Sequence, residues 1–180
     1  VGEAVVTHPA IRAVGFTGSL AGGRALFNLC AARPDPIPFF GELGSVNPMF
    51  LMPAALAARR DAIGTGWAGS LTMGAGQFCT NPGIAVVETG AAGDAFVSAA
   101  KDALAGVGPQ VMLTEGIAKA YRDGQARFEG RNSVTPLLST VSEGREANPN
   151  LYETDAATYL QDHALGEEVF GPLGLVIRVQ

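Results

Sequence analysis

A chain of 180 residues with 47% hydrophobic and 16% charged residues carries enough apolar material for a globular core and too little charge for disorder. Its formal net charge of −5 leaves no basic face for nucleic acid or an anionic lipid surface, and no apolar run reaches the ~20 residues a membrane helix needs. The two cysteines, Cys30 and Cys79, make no disulfide framework and fit a reducing cytoplasm, while His8 and His163 lie too far apart for a zinc-type ligand cluster.

Val1 opens without a signal-peptide pattern and Gln180 follows directly on a strand-like run, so both ends read as cut from something longer. The stretch AVGFTGS (13–19) predicts a short buried strand ending in a Thr-Gly-Ser turn. Ser19 is placed to cap the helical stretch LAGGRALFNLCAA (20–32). Cys30, among apolar residues on that helix, suits a core position. Prolines at 34, 36, 38 and 48 exclude a helix through RPDPIPFFGELGSVNP, leaving a loop and a short strand from Phe39 to Leu43. MFLM (49–52) predicts another buried strand.

From Ala54 to Thr72 the pattern is helical, with Leu56, Ile63, Trp67 and Leu71 spaced by seven, four and four. Gly64, Gly66 and Gly69 in that run match the dinucleotide fingerprint G-x-G-x-x-G letter for letter. The fingerprint needs a strand before it and a helix opening on it. Here helix precedes and follows, so close helix packing is the better reading. Beyond the Cys79 loop, GIAVVET (83–89) predicts a strand and GDAFVSAAKDALAG (93–106) an amphipathic helix. A further helix over 115–129, a strand over 135–142, a polar connection through EGREANPN, a short helix near 155–161 and a last strand at 173–179 complete the chain. Strands alternating with helices predict an α/β fold with a mostly parallel sheet.

Three stretches carry chemistry. FTGS (16–19) delivers a hydroxyl and backbone N–H groups to a helix N-terminus, a natural phosphate site. FGELGS (40–45) holds one acid, Glu42, among Phe39, Phe40 and Leu43, and apolar surroundings suit a carboxylate to general-base work near neutral pH. GQFCTNPG (76–83) presents Cys79 on a tight, glycine-flanked loop whose own N–H could help hold an oxyanion. Taken singly, each has a plainer reading: a helix cap, an acid at a strand end, a small core residue.

Together and in this order, these motifs resemble those of the aldehyde dehydrogenase superfamily over essentially the whole chain. FTGS followed by Gly23 is similar to that family's nicotinamide-cofactor turn, GELGSVNP to its glutamate motif, GQFCTNPG to its nucleophile motif and EEVFGP (167–172) to its late cofactor motif. Two departures from the commonest form stand out: Ser45 replaces a glycine, and FCTNPG replaces a cysteine-rich run. These variants resemble the α-ketoglutarate semialdehyde (2,5-dioxovalerate) dehydrogenase subgroup and related long-chain aldehyde enzymes.

The resemblance implies oxidation of a small-molecule aldehyde to a carboxylic acid with NADP or NAD. It makes Cys79 the nucleophile and Glu42 the base for the deacylating water. It assigns Ser19, Gly18, Gly23 and Leu43 to the cofactor site, with Glu168 toward the nicotinamide ribose and Phe170 beside it, and no metal. It makes residues 1–44 the tail of a Rossmann-like NAD(P)-binding domain and 45–180 a catalytic domain incomplete at its C-terminus. It also implies a cytoplasmic homo-oligomer when full length. Because the family's first cofactor strands and its oxyanion-hole Asn precede this region, the 180 residues alone are expected to oxidise no aldehyde. Two rival expectations are a folded unit that only binds or packs, and a thiol hydrolase pairing Cys79 with His8 or His163, for which nothing in the local sequence speaks.

Overall fold

The computed structural model describes all 180 residues, and the chain divides into two compact units, Val1–Ser45 and Val46–Gln180. The first unit contains α1 (Gly2–Thr7), β1 (Val14–Gly18), α2 (Leu20–Ala31) and β2 (Phe39–Leu43). β1 and β2 run parallel, with Thr17 opposite Glu42 and Gly18 opposite Leu43, and α2 supplies the crossover that parallel strands require. Ser19 caps α2 as expected, its Oγ accepting the Gly22 N–H at 3.2 Å. Val6 and Cys30 are the buried apolar side chains of this small unit, and Phe27 meets Phe39 edge-on at 6.0 Å. The expectation of a buried β1 is corrected. Val14 and Phe16 are half-buried while Gly15, Thr17 and Gly18 are exposed, because β2 is the only strand beside it. Helix α1 lies in a stretch with no assignment from sequence.

The second unit contains β3 (Pro48–Leu51), α3 (Pro53–Thr72), β4 (Ile84–Glu88), α4 (Ala91–Ala105), β5 (Gln110–Val111), α5 (Glu115–Glu129), β6 (Thr135–Leu138), β7 (Glu146–Ala147), β8 (Asn150–Asp155), α6 (Ala156–Gln161) and β9 (Leu173–Val179). Its main sheet has the order β3-β4-β9-β8-β6. All neighbours are parallel except β6, which runs antiparallel on β8. β5 and β7 form a separate antiparallel pair.

Strand alternation divides the core between the two sheet faces. Ala85, Val87, Leu151 and Val176 pack with Leu56, Trp67 and Leu71 of α3 and Phe96 and Leu104 of α4. Tyr152, Leu175 and Ile177 pack with Ala118, Tyr121 and Phe128 of α5. Each such large side chain contributes about 1.5–3 kcal/mol when fully buried. β3 is an edge strand, so MFLM is only partly buried: Leu51 is inside, whereas Phe50 is 66% exposed.

The run GTGWAG lies inside α3, and its packing role falls to one glycine. A Cβ on Gly64 would lie 2.6 Å from the Phe96 carbonyl oxygen and 3.0 Å from the Ala100 nitrogen, whereas Gly66 and Gly69 face open space. β8, interior to the sheet, occupies residues with no assignment from sequence between the polar connection and the short helix, and that helix forms as α6. The polar side chains of β8 are matched inside. Asn150 donates to the Tyr121 hydroxyl at 3.0 Å and accepts from the Thr140 N–H at 2.8 Å. Thr154 donates to the Ser133 carbonyl at 3.0 Å, and Glu153 accepts from Arg178 at 2.6 Å. Satisfied this way, polar residues can occupy a central strand.

Candidate functional site

Cys79 lies between α3 and β4, on a loop whose path is set by three consecutive left-handed residues, Gly74 (φ 56°), Ala75 (φ 57°) and Gly76 (φ 68°). Glycine tolerates that region freely. Ala75 does so at a cost of about 1–3 kcal/mol and is held there by burial, being 2% exposed. At Gly76 the main chain also needs the space a side chain would take. A Cβ there would lie 2.4 Å from the Gly171 carbonyl carbon and 2.6 Å from the Pro172 nitrogen. This contact joins GQFCTNPG to EEVFGP.

The chain then closes a turn from Phe78 to Asn81, with the Asn81 N–H donating to the Phe78 carbonyl at 3.1 Å and Cys79 in its second position. Asn47, just before β3, donates through Nδ2 to the carbonyls of Cys79 (2.9 Å) and Asn81 (3.0 Å). Asn81 in turn donates to the carbonyls of Leu71 and Gly76, both at 3.0 Å. Trp67 Nε1 donates to the Pro82 carbonyl at 2.6 Å. Gln77 donates to Gly74 O at 2.9 Å and accepts the Leu113 N–H at 3.0 Å. Asn47, Gly83 and Pro172 immediately precede β3, β4 and β9, so the Cys79 loop sits at the amino ends of these parallel strands. Ligand sites in open α/β sheets ordinarily lie at the carboxyl ends.

The Cys79 side chain is exposed and Cys30 is buried. Iodoacetamide added to the native full-length protein should therefore label Cys79 about tenfold or more faster than Cys30. Peptide mapping checks this, and preferential labelling of Cys30 would remove Cys79 as the reactive thiol.

The late motif is fastened to α5. Glu167 pairs with Arg127, a Cβ on Gly124 would meet Val169 at 2.7 Å, and a Cβ on Gly171 would meet the Tyr121 ring at 2.2 Å. These contacts fall on residues 167, 169 and 171, the period of extended backbone. Glu168 and Phe170 lie between them and are half-buried. Burial pushes the Tyr121 hydroxyl far above the usual tyrosine range, so it stays a neutral donor, bonded to the Asn148 carbonyl at 2.6 Å.

In the first unit, Gly18, Ser19, Gly23, Glu42 and Leu43 come together through the β1–β2 pairing and the start of α2. Gly23 is where α2 rests on β2: a Cβ there would lie 2.0 Å from Leu43 Cδ2. Leu43 is thus a packing residue for the turn. The first turn of α2 holds no acidic residue, and its outward N–H groups fit a phosphate. The apolar setting expected for Glu42 is not what its unit shows. Glu42 and Phe40 are both exposed, while Phe39 and Leu43 are half-buried, because alternate residues of β2 face opposite ways.

Glu42 belongs to the first unit, whereas Cys79, Glu168 and Phe170 belong to the second. His8 is also in the first unit, and its Nδ1 accepts the Ala10 N–H at 3.2 Å. No group of three His, Cys, Asp or Glu is arranged to hold a metal ion. Sequence reasoning missed Asn47, Asn81, Gln77 and Trp67. The available signal was a pair of Asn-Pro dipeptides, 47–48 and 81–82, which mark turns ahead of strands.

The aldehyde dehydrogenase family matches residues 1–115. The chain is 47% identical over 184 aligned positions to alpha-ketoglutaric semialdehyde dehydrogenase 2 of Azospirillum brasilense, covering 99% of this chain and 34% of that protein. It is 42% identical over 182 positions to the alpha-ketoglutaric semialdehyde dehydrogenase of Acinetobacter baylyi, covering 99% and 35%. Among solved structures, a NAD-dependent benzaldehyde dehydrogenase from Corynebacterium glutamicum has a TM-score of 0.81 at 21% identity, over 99% of this chain and 39% of that one. That likeness is one of fold. The chain spans about a third of the length of the curated relatives it matches.

Proposed function

Since the chain belongs to the aldehyde dehydrogenase family, we propose that it carries the nucleophile of a protein that oxidises an aldehyde to a carboxylic acid with NAD or NADP. The observation that carries this is the exposed Cys79 at the second position of a hydrogen-bonded turn, with the late motif packed against its loop at Gly76.

The Cys79 thiolate adds to the aldehyde carbon, with its own backbone N–H turned to the developing oxyanion. A nicotinamide cofactor, when bound, supplies the hydride acceptor. Cys79 then holds the acyl group as a thioester. The Glu42 carboxylate takes a proton from water, which attacks the thioester, releases the acid and returns the thiol. The start of α2, with Ser19 and Gly18, would receive the cofactor's pyrophosphate, and the Leu43–Gly23 packing would hold that turn in place. Glu168 would accept from the ribose hydroxyls, with Phe170 alongside. In this scheme residues 1–44 belong to the cofactor-binding domain and 45–180 to the catalytic domain.

For the substrate we propose α-ketoglutarate semialdehyde, supported by the names of the two relatives above. The test is NAD(P)H formation at 340 nm by the full-length protein with that semialdehyde, benzaldehyde and a long-chain aldehyde. The semialdehyde should give kcat/KM higher by about tenfold or more. A preference for either alternative would overturn the substrate, and no NAD(P)H with any of them would overturn the oxidation.

A further inference from the structure

We infer that Asn47 is a positioning residue for the nucleophile, an inference that rests on the oxidation proposed above. A side-chain amide NH2 has two hydrogens to give, and both are spent on the nucleophile turn, one on the Cys79 carbonyl at 2.9 Å and one on the Asn81 carbonyl at 3.0 Å. Cys79 and Thr80 are the two central residues of that turn and both are exposed. With both side chains exposed, hydrogen bonds hold the backbone of the turn. The Asn81 N–H closes the turn onto Phe78 O, and the Asn81 side chain anchors it to Leu71 O and Gly76 O. Asn47 ties it to the sheet. It stands one residue before Pro48, which pairs with Ile84 across β3 and β4, so its amide reaches over from the neighbouring strand.

Holding the Cys79 carbonyl fixes the peptide plane that follows the nucleophile, and with it the direction of the Cα–Cβ bond. Asn47 is neutral, so it acts on where the sulfur points rather than on its charge. Misplacing a reacting atom by about 1 Å can cost about a hundredfold. The loss of Asn47 therefore falls on kcat rather than on substrate affinity.

The experiment uses the full-length protein with Asn47→Asp, which keeps the shape but turns lone pairs toward two carbonyls, and Asn47→Leu, which removes the donors at similar volume. Two readouts are taken: kcat and KM for aldehyde oxidation, and amide hydrogen exchange of the peptide spanning the Cys79 turn. Both variants should exchange faster at the Asn81 and Gly83 amides, with exchange in α3 unchanged. Their kcat should fall by about tenfold to a hundredfold with KM within about threefold, and Asn47→Asp should be the worse of the two. A residue that only filled space would give the opposite order. Should Asn47→Asp not fold, Asn47→Ser, which retains one shorter donor, is expected to give an intermediate loss of kcat. Unchanged exchange overturns the clamp, and faster exchange with unchanged kcat overturns the positioning role. A wild-type protein that oxidises no aldehyde, while the variants still exchange faster, sinks the oxidation itself and the positioning role with it.

Discussion

Cys79→Ala in the full-length protein is expected to lower aldehyde oxidation by about 10⁴-fold or more, to the background of the assay. In the proposed chemistry one difficult oxidation is split into two steps joined by a covalent bond to sulfur. Removing a nucleophile removes that route entirely, and effects of this size follow the loss of a covalent centre elsewhere. The control is Cys30→Ala. Cys30 is 1% exposed on α2, so truncating it leaves a small cavity, with a cost of about 1 kcal/mol in stability and turnover within about threefold of wild type. Steady-state NAD(P)H formation with both variants separates the two thiols. Substantial activity in Cys79→Ala would mean that oxidation proceeds without a covalent intermediate.

Glu42→Gln should behave differently, failing late rather than early. An amide cannot accept the proton of the attacking water, and a positioned general base contributes about 10²–10⁴-fold. Attack by Cys79 and formation of NAD(P)H do not need that proton transfer. Stopped-flow traces should therefore show one rapid equivalent of NAD(P)H, followed by turnover slower than wild type by that factor. The exposure of Glu42 on β2 leaves its carboxylate accessible to water. A variant with no burst would place Glu42 before the thioester, in generating the thiolate. A variant with wild-type turnover would make the residue structural and leave the mechanism without its base.

The legible parts of the fold were those where one local pattern decides the outcome. Phe39–Leu43, Glu115–Glu129 and Leu173–Val179 fall at their expected boundaries, because prolines, a capped amphipathic run and an unbroken apolar run each leave one choice. β8 was hidden because Asn150, Glu153 and Thr154 look like a loop until their partners on α5, β9 and the 133 region are known. The glycines flanking Cys79 mark a tight loop, and one of them, Gly76, lies close against Gly171. What the main chain would approach could not be read, since Gly171 lies in a motif far along the chain. Asn47 was illegible for the same reason: its meaning depends on two carbonyls 32 and 34 residues away. Glu42 shows the reverse failure. Its apolar neighbours in sequence suggested an apolar setting, but strand alternation turns it and Phe40 outward together.

The acyl group itself is the most direct thing to look for. Glu42→Gln protein mixed with α-ketoglutarate semialdehyde and NAD(P), quenched in acid after the burst and digested, should yield the Cys79 peptide heavier by one acyl group. The Cys30 peptide should be unmodified, and the added mass should vanish when Cys79→Ala is combined with Glu42→Gln. An unmodified Cys79 peptide after a full burst of NAD(P)H would contradict the account, because the oxidised carbon would then never have been held on that sulfur.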